Sequence, residues 1–293
     1  MIVVVGSANR DLIVTTDELP SRGETVSGSG HVEAPGGKGA NQAVAAARLG
    51  AEVAFVGRVG ADEASRMLAA AFAEDGVDGT HLAVTHLAPT GLALITVDRA
   101  GDNTIVLSPG ANHLVATSDV IHATSLLRSA AVTLLQLEIP IGTVADAAKA
   151  AGGTVILNAA PAQPLPDELL GAVDVLVVNR SELETLTGSD DPTAASHLPV
   201  STTVVTLGRD GAALVVAGKV TVYPAPDVEV VDTTGAGDAF CGALAAGIDA
   251  GLEIANAVPR AVAAAALATT ALGARTAMVS AKELENYLRT LGS

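Results

Sequence analysis

The sequence has one cysteine (Cys241), no tryptophan and only five aromatic residues, three Phe and two Tyr, among 293. A lone cysteine excludes a disulfide-framed secreted scaffold and any zinc site built on several cysteines. It suits a reducing compartment, so a cytoplasmic location is expected. The six histidines (31, 81, 86, 113, 122 and 197) show no metal-ligand spacing. Positive charge is scarce too: 16 Lys and Arg against 32 Asp and Glu leave a net charge of −16. No basic stripe is visible, which argues against a nucleic-acid partner. No run approaches the ~20 apolar residues that span a bilayer, so no membrane partner is expected. The Ala-rich stretch 261–271 is interrupted by Thr269 and Thr270 and flanked by Arg260 and Arg275. The opening Met1-Ile2-Val3-Val4-Val5 lacks a basic n-region and is too short for a signal peptide.

What is abundant is small and apolar. Hydrophobic residues make up 49% of the chain, enough at this length to bury a core without a disulfide or metal staple. Short β-branched runs at 2–5, 53–56, 134–137, 155–157, 175–178 and 204–207 are bounded by Gly, Asn, Asp or Pro, as strands buried on both faces would be. Between them lie helical patterns at 40–49, 63–73, 143–151 and 181–186, three of them closed by Gly50, Gly152 and Gly188. Alternation of this kind predicts an α/β fold: a central, mostly parallel sheet covered by helices on both faces. No repeat or low-complexity linker interrupts it, so residues 1–293 are expected to form one domain.

Two regions break the rhythm, at about 11–33 and 90–108. Segments 12–16 and 25–32 flank a turn with Pro20 and Gly23, and segments 90–97 and 103–108 are joined by residues 98–102. In the last, Thr104, Val106 and Ser108 alternate with Ile105 and Leu107, predicting a hairpin with one wet face. These inserts read as a small β-sheet lid, an oligomer interface or surface decoration.

Two glycine-rich loops carry the chemistry. The first, Pro35-Gly36-Gly37-Lys38-Gly39-Ala40-Asn41-Gln42, runs into a helix whose N-terminus offers unpaired N–H groups to an anion or polar ligand. It is not a Walker A loop, because Val32 and Gly39 stand where Gly and Ser/Thr are required. The second, Asp232-Thr233-Thr234-Gly235-Ala236-Gly237-Asp238-Ala239-Phe240, begins like a dinucleotide fingerprint but has Phe240 at the third glycine position. Here the N–H groups of residues 235–238 would cradle developing phosphate charge. The Asp238 carboxylate would accept a proton from an attacking hydroxyl, or simply match the dipole of its own helix.

Together with their flanks, these loops resemble the two signatures of the ribokinase-like (PfkB) carbohydrate kinases. The likeness extends through Gly6-Ser7-Ala8-Asn9-Arg10-Asp11, Gly23-Glu24-Thr25-Val26, Gly110-Ala111-Asn112 and Gln136-Leu137-Glu138. It continues through Asn158-Ala159-Ala160-Pro161-Ala162, Asn179-Arg180-Ser181-Glu182 and Thr206-Leu207-Gly208-Arg209-Asp210-Gly211. The forms Gly-Gly-Lys-Gly-Ala-Asn-Gln and Gly-Ala-Asn are those of the family's ribose-phosphorylating members.

The resemblance implies transfer of phosphate from ATP to O5 of D-ribose, with deoxyribose, fructose or another hexose, or a nucleoside as alternatives within the family. It implies a sugar site of Asn9, Asp11, Gly37, Lys38, Asn41, Glu138 and Asp238, with Asp238 as general base and Gly235, Ala236 and Gly237 completing the anion hole. Nucleotide contacts are implied at Asn179, Thr206, Gly208, Gly211, Gly237 and Val262. Glu182, near Asn179, is implied beside Mg²⁺, and K⁺ beside Asp232, Thr234, Ala268, Ala271, Gly273 and Ala277. The resemblance to the ribose-phosphorylating members also implies a homodimer clasped through the lids. Three positions depart from the usual pattern: Ala277 lacks the frequent hydroxyl, Val262 the frequent polar edge to adenine, and Arg180 replaces a common acid. No aromatic residue lies in the sugar-site segments, which favours a bare sugar over a nucleoside. Other classes fit less well. Gly6-Ser7-Ala8-Asn9 supplies no NAD-binding loop, and a catalytically dead sugar-binding protein would not need Asp238.

Overall fold

A computed structural model describes residues 1–99 and 103–291, so residues 100–102 of the expected hairpin connection lie outside the described residues. The first elements are β1 (Ile2–Val5), β2 (Asn9–Thr16), β3 (Gly28–Gly36), α1 (Lys38–Arg48), β4 (Val53–Gly60), α2 (Glu63–Asp75), β5 (Val77–Thr85), β6 (Gly91–Val97) and β7 (Asn103–Ser108). Next come α3 (Thr117–His122), α4 (Thr124–Ser129), β8 (Val132–Leu135), α5 (Ile141–Ala150), β9 (Thr154–Asn158), α6 (Asp167–Leu170), β10 (Val175–Asn179) and α7 (Arg180–Thr187). The remainder are β11 (Thr202–Thr206), β12 (Ala212–Val216), β13 (Lys219–Tyr223), α8 (Ala236–Asp249), α9 (Ile254–Ala268) and α10 (Ala281–Leu291).

Nine strands form one sheet in the order β13-β12-β11-β10-β9-β8-β1-β4-β5, parallel from β5 to β11 and antiparallel at β12 and β13. The apolar runs are continuous because alternate residues enter different cores. Val4, Leu134, Ile156 and Val204 pack under α1, α8 and α9, while Val3, Val5, Leu135, Leu157 and Val205 pack under the helices of the other face. Each such buried side chain contributes about 1.5–3 kcal/mol. On the first face, α1 and α8 approach closely at Gly242. A Cβ there would lie 2.5 Å from Ala45 Cβ and 2.7 Å from the Gln42 carbonyl, so only glycine lets the two helices meet.

The six expected core strands are all present, within about two residues of their predicted bounds at most starts and ends, though β4 runs on to Gly60. Three further strands of this sheet, β5, β12 and β13, were not anticipated. β5 is an edge strand whose exposed and half-buried positions hide an apolar run, and β12 begins with two alanines. The hairpin joining β12 to β13 turns on Ala217 and Gly218, both at positive φ (49° and 76°), as a tight turn between right-twisting strands requires. An L-residue with a Cβ is strained there. Ala217→Asn is therefore expected to stabilise the protein by about 0.5–1 kcal/mol. A higher urea midpoint would show it, and an unchanged or lower midpoint would reject the strain.

A separate four-stranded sheet, ordered β3-β2-β6-β7, contains the two inserts. β6 and β7 keep their expected bounds to within one residue, whereas β2 starts earlier, at Asn9, and β3 is displaced to Gly28–Gly36, delivering both to the first glycine loop. One expectation fails. All six residues of β7 are exposed, so the strand has two open faces rather than one wet and one covered. β7 lies at the edge of a sheet that carries no covering layer over it, which leaves Ile105, Val106 and Leu107 between 46% and 64% exposed.

Candidate active site

The two glycine loops meet because α1 and α8 start side by side. α1 begins at Lys38, two residues earlier than its apolar period suggests, after Gly37 packs on the backbone of Ser7–Asn9. α8 begins at Ala236 behind Gly235, which sits at φ 78° with no room for a Cβ, since Ala274 Cβ would lie 2.6 Å away. Asp238, in the first turn of α8, is buried and makes no cap to its own helix. Its carboxylate turns to α1 instead: Oδ2 accepts from Asn41 Nδ2 at 3.0 Å and Oδ1 from Gln42 Nε2 at 3.0 Å.

Two more carboxylates converge here. Burial first, then the charges of Glu138 and Asp238, push the Asp11 carboxyl up to about 7. Asp11 Oδ1 is buried with no protein partner. Glu138 Oε2 accepts from Ser7 Oγ at 2.6 Å and from the Lys38 N–H at 3.1 Å. Asn9 is buried with its Oδ1 taken by Asn112 Nδ2 at 2.6 Å, and Asn112 Oδ1 accepts from the Ala8 N–H at 3.0 Å. Closely spaced carboxylates with an unsatisfied buried oxygen suit a neutral ligand that brings several hydroxyl donors.

Lys38 lies between this cluster and the second loop. Lys38 lines a cavity of about 260 Å³ together with Asn158, Asn179, Glu182, Gly235 and Asp238, so it borders groups expected on the nucleotide side as well as the expected sugar site. Burial alone would depress its ammonium, but Asp238, Glu138 and Glu182 together hold it above its ordinary value. Glu182 is itself buried and its carboxyl raised by that burial. It forms a capping box with Asn179: Oε1 accepts from Asn179 Nδ2 at 2.9 Å and Oε2 from the Asn179 N–H at 2.7 Å.

A larger cavity of about 680 Å³ adjoins this one. Gly208, Gly211, Val262, Ala236 and Gly237 line it, and Phe240 is both core and cavity wall. Thr206, Thr233 and Gly237 line both cavities, so the two meet at the α8 N-terminus. There the expected anion cradle is narrower than foreseen. The Ala236 N–H is engaged by the Thr233 carbonyl at 3.2 Å, whereas the N–H groups of Gly235, Gly237 and Asp238 have no acceptor among the described residues. A turn of the loop, invisible in the sequence, takes that one donor out.

Behind the cradle, Asp232 ties its loop to the segment before α10. Oδ1 accepts from the Thr234 N–H at 2.9 Å and Oδ2 from the Gly273 N–H at 2.8 Å, and bonds from Thr234 and Gly273 depress its carboxyl despite burial, the largest single influence. The Thr269 carbonyl accepts from Val231 and Asp232, and the Gly273 carbonyl from Ala277. Ala268 and Ala277 are buried and Ala271 is exposed. Among the described residues, no group of three or more His, Cys, Asp or Glu side chains is placed to hold a metal ion. None of their helices is long and apolar enough to cross a membrane.

Residues to which motif reading assigned no role complete the site. Gln42 donates to Asp238, Asn112 to Asn9 and Ser7 to Glu138, while Asn158 accepts from Gln42. Their presence inside the motifs was the available signal; their partners lie on other elements.

Comparison with known proteins identifies the family. The model of the pfkB family carbohydrate kinases matches residues 1–281. A ribokinase of Haemophilus influenzae is 36% identical, covering 98% of each chain, and one of Bacillus subtilis is 38% identical, covering 98% of this chain and 99% of its own. The crystal structure of Thermotoga maritima ribokinase superposes with a TM-score of 0.92 at 36% identity, covering 98% and 99% of the two chains. That of Arabidopsis thaliana ribokinase complexed with ribose and ATP gives 0.88 at 35%, covering 98% of each. The chain belongs to the pfkB family of carbohydrate kinases and is an enzyme of that class.

Proposed function

We propose that the protein transfers the γ-phosphoryl group of ATP to O5 of D-ribose, giving ribose 5-phosphate and ADP. The observation that carries this reading is the place of Asp238: a buried carboxylate where a carboxylate-and-amide cluster and a 680 Å³ cavity meet at a helix N-terminus with free N–H groups. Ribose would lie against Asn9, Asp11, Gly37, Asn41 and Glu138. Its 5-hydroxyl would replace the Asn41 amide at Asp238 Oδ2 and lose its proton there as the O–P bond forms and the bond to ADP breaks. The N–H groups of Gly235, Gly237 and Asp238 would take the growing charge on the phosphoryl oxygens, with Lys38 beside them. The ATP and ribose of the Arabidopsis complex support both halves of this assignment.

ATP would occupy the large cavity through Thr206, Gly208, Gly211, Gly237 and Val262, with Asn179 toward the phosphates. The oxygens of Glu182 fit a hard cation held through water, since both are already bonded to Asn179. When bound, Mg²⁺ supplies charge neutralisation at the phosphates. K⁺ fits the all-oxygen set of the Asp232 carboxylate, Thr234 and the carbonyls of Ala268, Ala271, Gly273 and Ala277, though Ala277 brings no hydroxyl. The four-stranded sheet would act as a lid within one kinase domain, and a second copy of the chain would cover its exposed Val32, Leu94, Ile105, Val106 and Leu107. The single buried, free cysteine suits a cytoplasmic enzyme.

A coupled ADP-release assay with ribose, deoxyribose, fructose and adenosine, with and without K⁺, tests the proposal. Ribose should give the highest kcat/KM and K⁺ should raise it. A preference for fructose or adenosine would transfer the reading to another sugar or nucleoside of the family, and turnover indifferent to K⁺ would remove the cation.

A further inference from the structure

Gln42 is fully buried, and its amide is held from one side only. Nε2 donates to two acceptors, Asp238 Oδ1 at 3.0 Å and Asn158 Oδ1 at 3.1 Å, while Oε1 has no partner. The opposite amide orientation would set Oε1 against two acceptor oxygens, so the network selects this one. Asn158 is in turn oriented by its own Nδ2, which points to the Val177 carbonyl at 3.4 Å. A relay therefore runs from the β10 backbone through Asn158 at the end of β9 and Gln42 on α1 to Asp238 on α8. The close contact at Gly242 lets α1 and α8 approach near enough for its last step.

We propose that Gln42 is a positioning residue for the phosphoryl transfer: it holds Asp238 by Oδ1, so that Oδ2 keeps facing the incoming hydroxyl while the Asn41 amide is displaced. The inference rests on the assignment of Asp238 as the base. Of the two amides on that carboxylate, Asn41 keeps 6% exposure and belongs to the proposed sugar contacts, so it is the one the hydroxyl would displace. Gln42 is enclosed and is the one that can remain bonded throughout. A carboxylate held at one oxygen loses no orientation when the other changes partner, which is the preorganisation that proton transfer requires. The charged and titratable groups around Asp238 are Lys38 from α1, Asp11 from β2, Glu138 beyond β8, Glu182 from α7 and Cys241 on its own helix.

The test compares Gln42→Leu and Gln42→Glu with wild type and Asp238→Asn in kcat, alongside calorimetric sugar binding of the same preparations. For Gln42→Leu, kcat should fall on the order of 10²-fold with sugar affinity within a few-fold of wild type. Gln42→Glu preserves the packing shape but sets a carboxyl where the donor to Asp238 Oδ1 was, so kcat should fall at least as far, with sugar affinity again within a few-fold of wild type. Wild-type kcat in either variant would overturn the inference, as would equal losses of kcat and sugar affinity in both. These outcomes leave the base assignment standing as long as Asp238→Asn is inactive. Near-wild-type turnover in Asp238→Asn would overturn the assignment itself.

Discussion

Asp238→Asn is expected to lower kcat by about 10²- to 10⁴-fold while leaving sugar binding nearly unchanged. The substitution is isosteric. The new side-chain oxygen can keep the Gln42 donor, and its amide can face Asn41 once the Asn41 amide turns over, so packing at the α1–α8 contact is preserved. What disappears is the acceptor for the hydroxyl proton and one negative charge. That charge contributes to raising both Asp11 and Lys38, so their titrations should move down together in the variant. Single-turnover phosphorylation and calorimetry on the same preparation separate the effects. Turnover near the wild-type rate would remove Asp238 as the base.

Asp11→Asn should have opposite effects on binding and stability. In the protein without sugar, the Asp11 carboxyl ionises at about 7 instead of its ordinary 3.8. The folded state thus holds a proton through a window in which the unfolded chain has lost it. Stability from this group falls as pH rises from about 4 to 7, and the full penalty of a buried charge facing Glu138 and Asp238 remains above that. The asparagine side chain has no charge to bury, so the variant should gain on the order of 4 kcal/mol at pH 8 and almost nothing at pH 4. The same change should weaken sugar binding about 10- to 100-fold, because a charged acceptor for ring hydroxyls becomes a neutral one. Wild-type affinity should also weaken as pH drops below about 7, whereas that of the variant should not. Paired melts and calorimetry at pH 5 and 8 check both. A variant less stable than wild type at pH 8, with unchanged affinity, would mean that Asp11 neither suffers burial nor meets the sugar.

Much of the site was legible because its groups sit in short contiguous motifs. Gly37, Lys38 and Asn41 share one loop and helix start, Gly235–Asp238 another, and both proved to flank the same buried carboxylate. The parallel core strands were legible for a related reason: residues such as Val3 and Val4 enter different cores, so every position is apolar. What could not be read depends on where elements meet. That Gln42 rather than a neighbouring residue reaches Asp238 follows from the α1–α8 approach at Gly242. That the Ala236 N–H is spent on Thr233 follows from the turn. β5 and β13 lie at the sheet edges, where half of each strand faces water and the apolar run breaks up. β7 misled for the same reason, since its alternation promised a covered face that the chain alone does not provide.

The most direct measurement is ³¹P and ¹H NMR of the product formed from ribose and ATP. One phosphomonoester coupled to the C5 protons, with one ADP per ester, is the expected result. Phosphate on the anomeric oxygen, or ADP released without a sugar phosphate, would contradict a 5-hydroxyl held at Asp238 beneath the anion-binding loop.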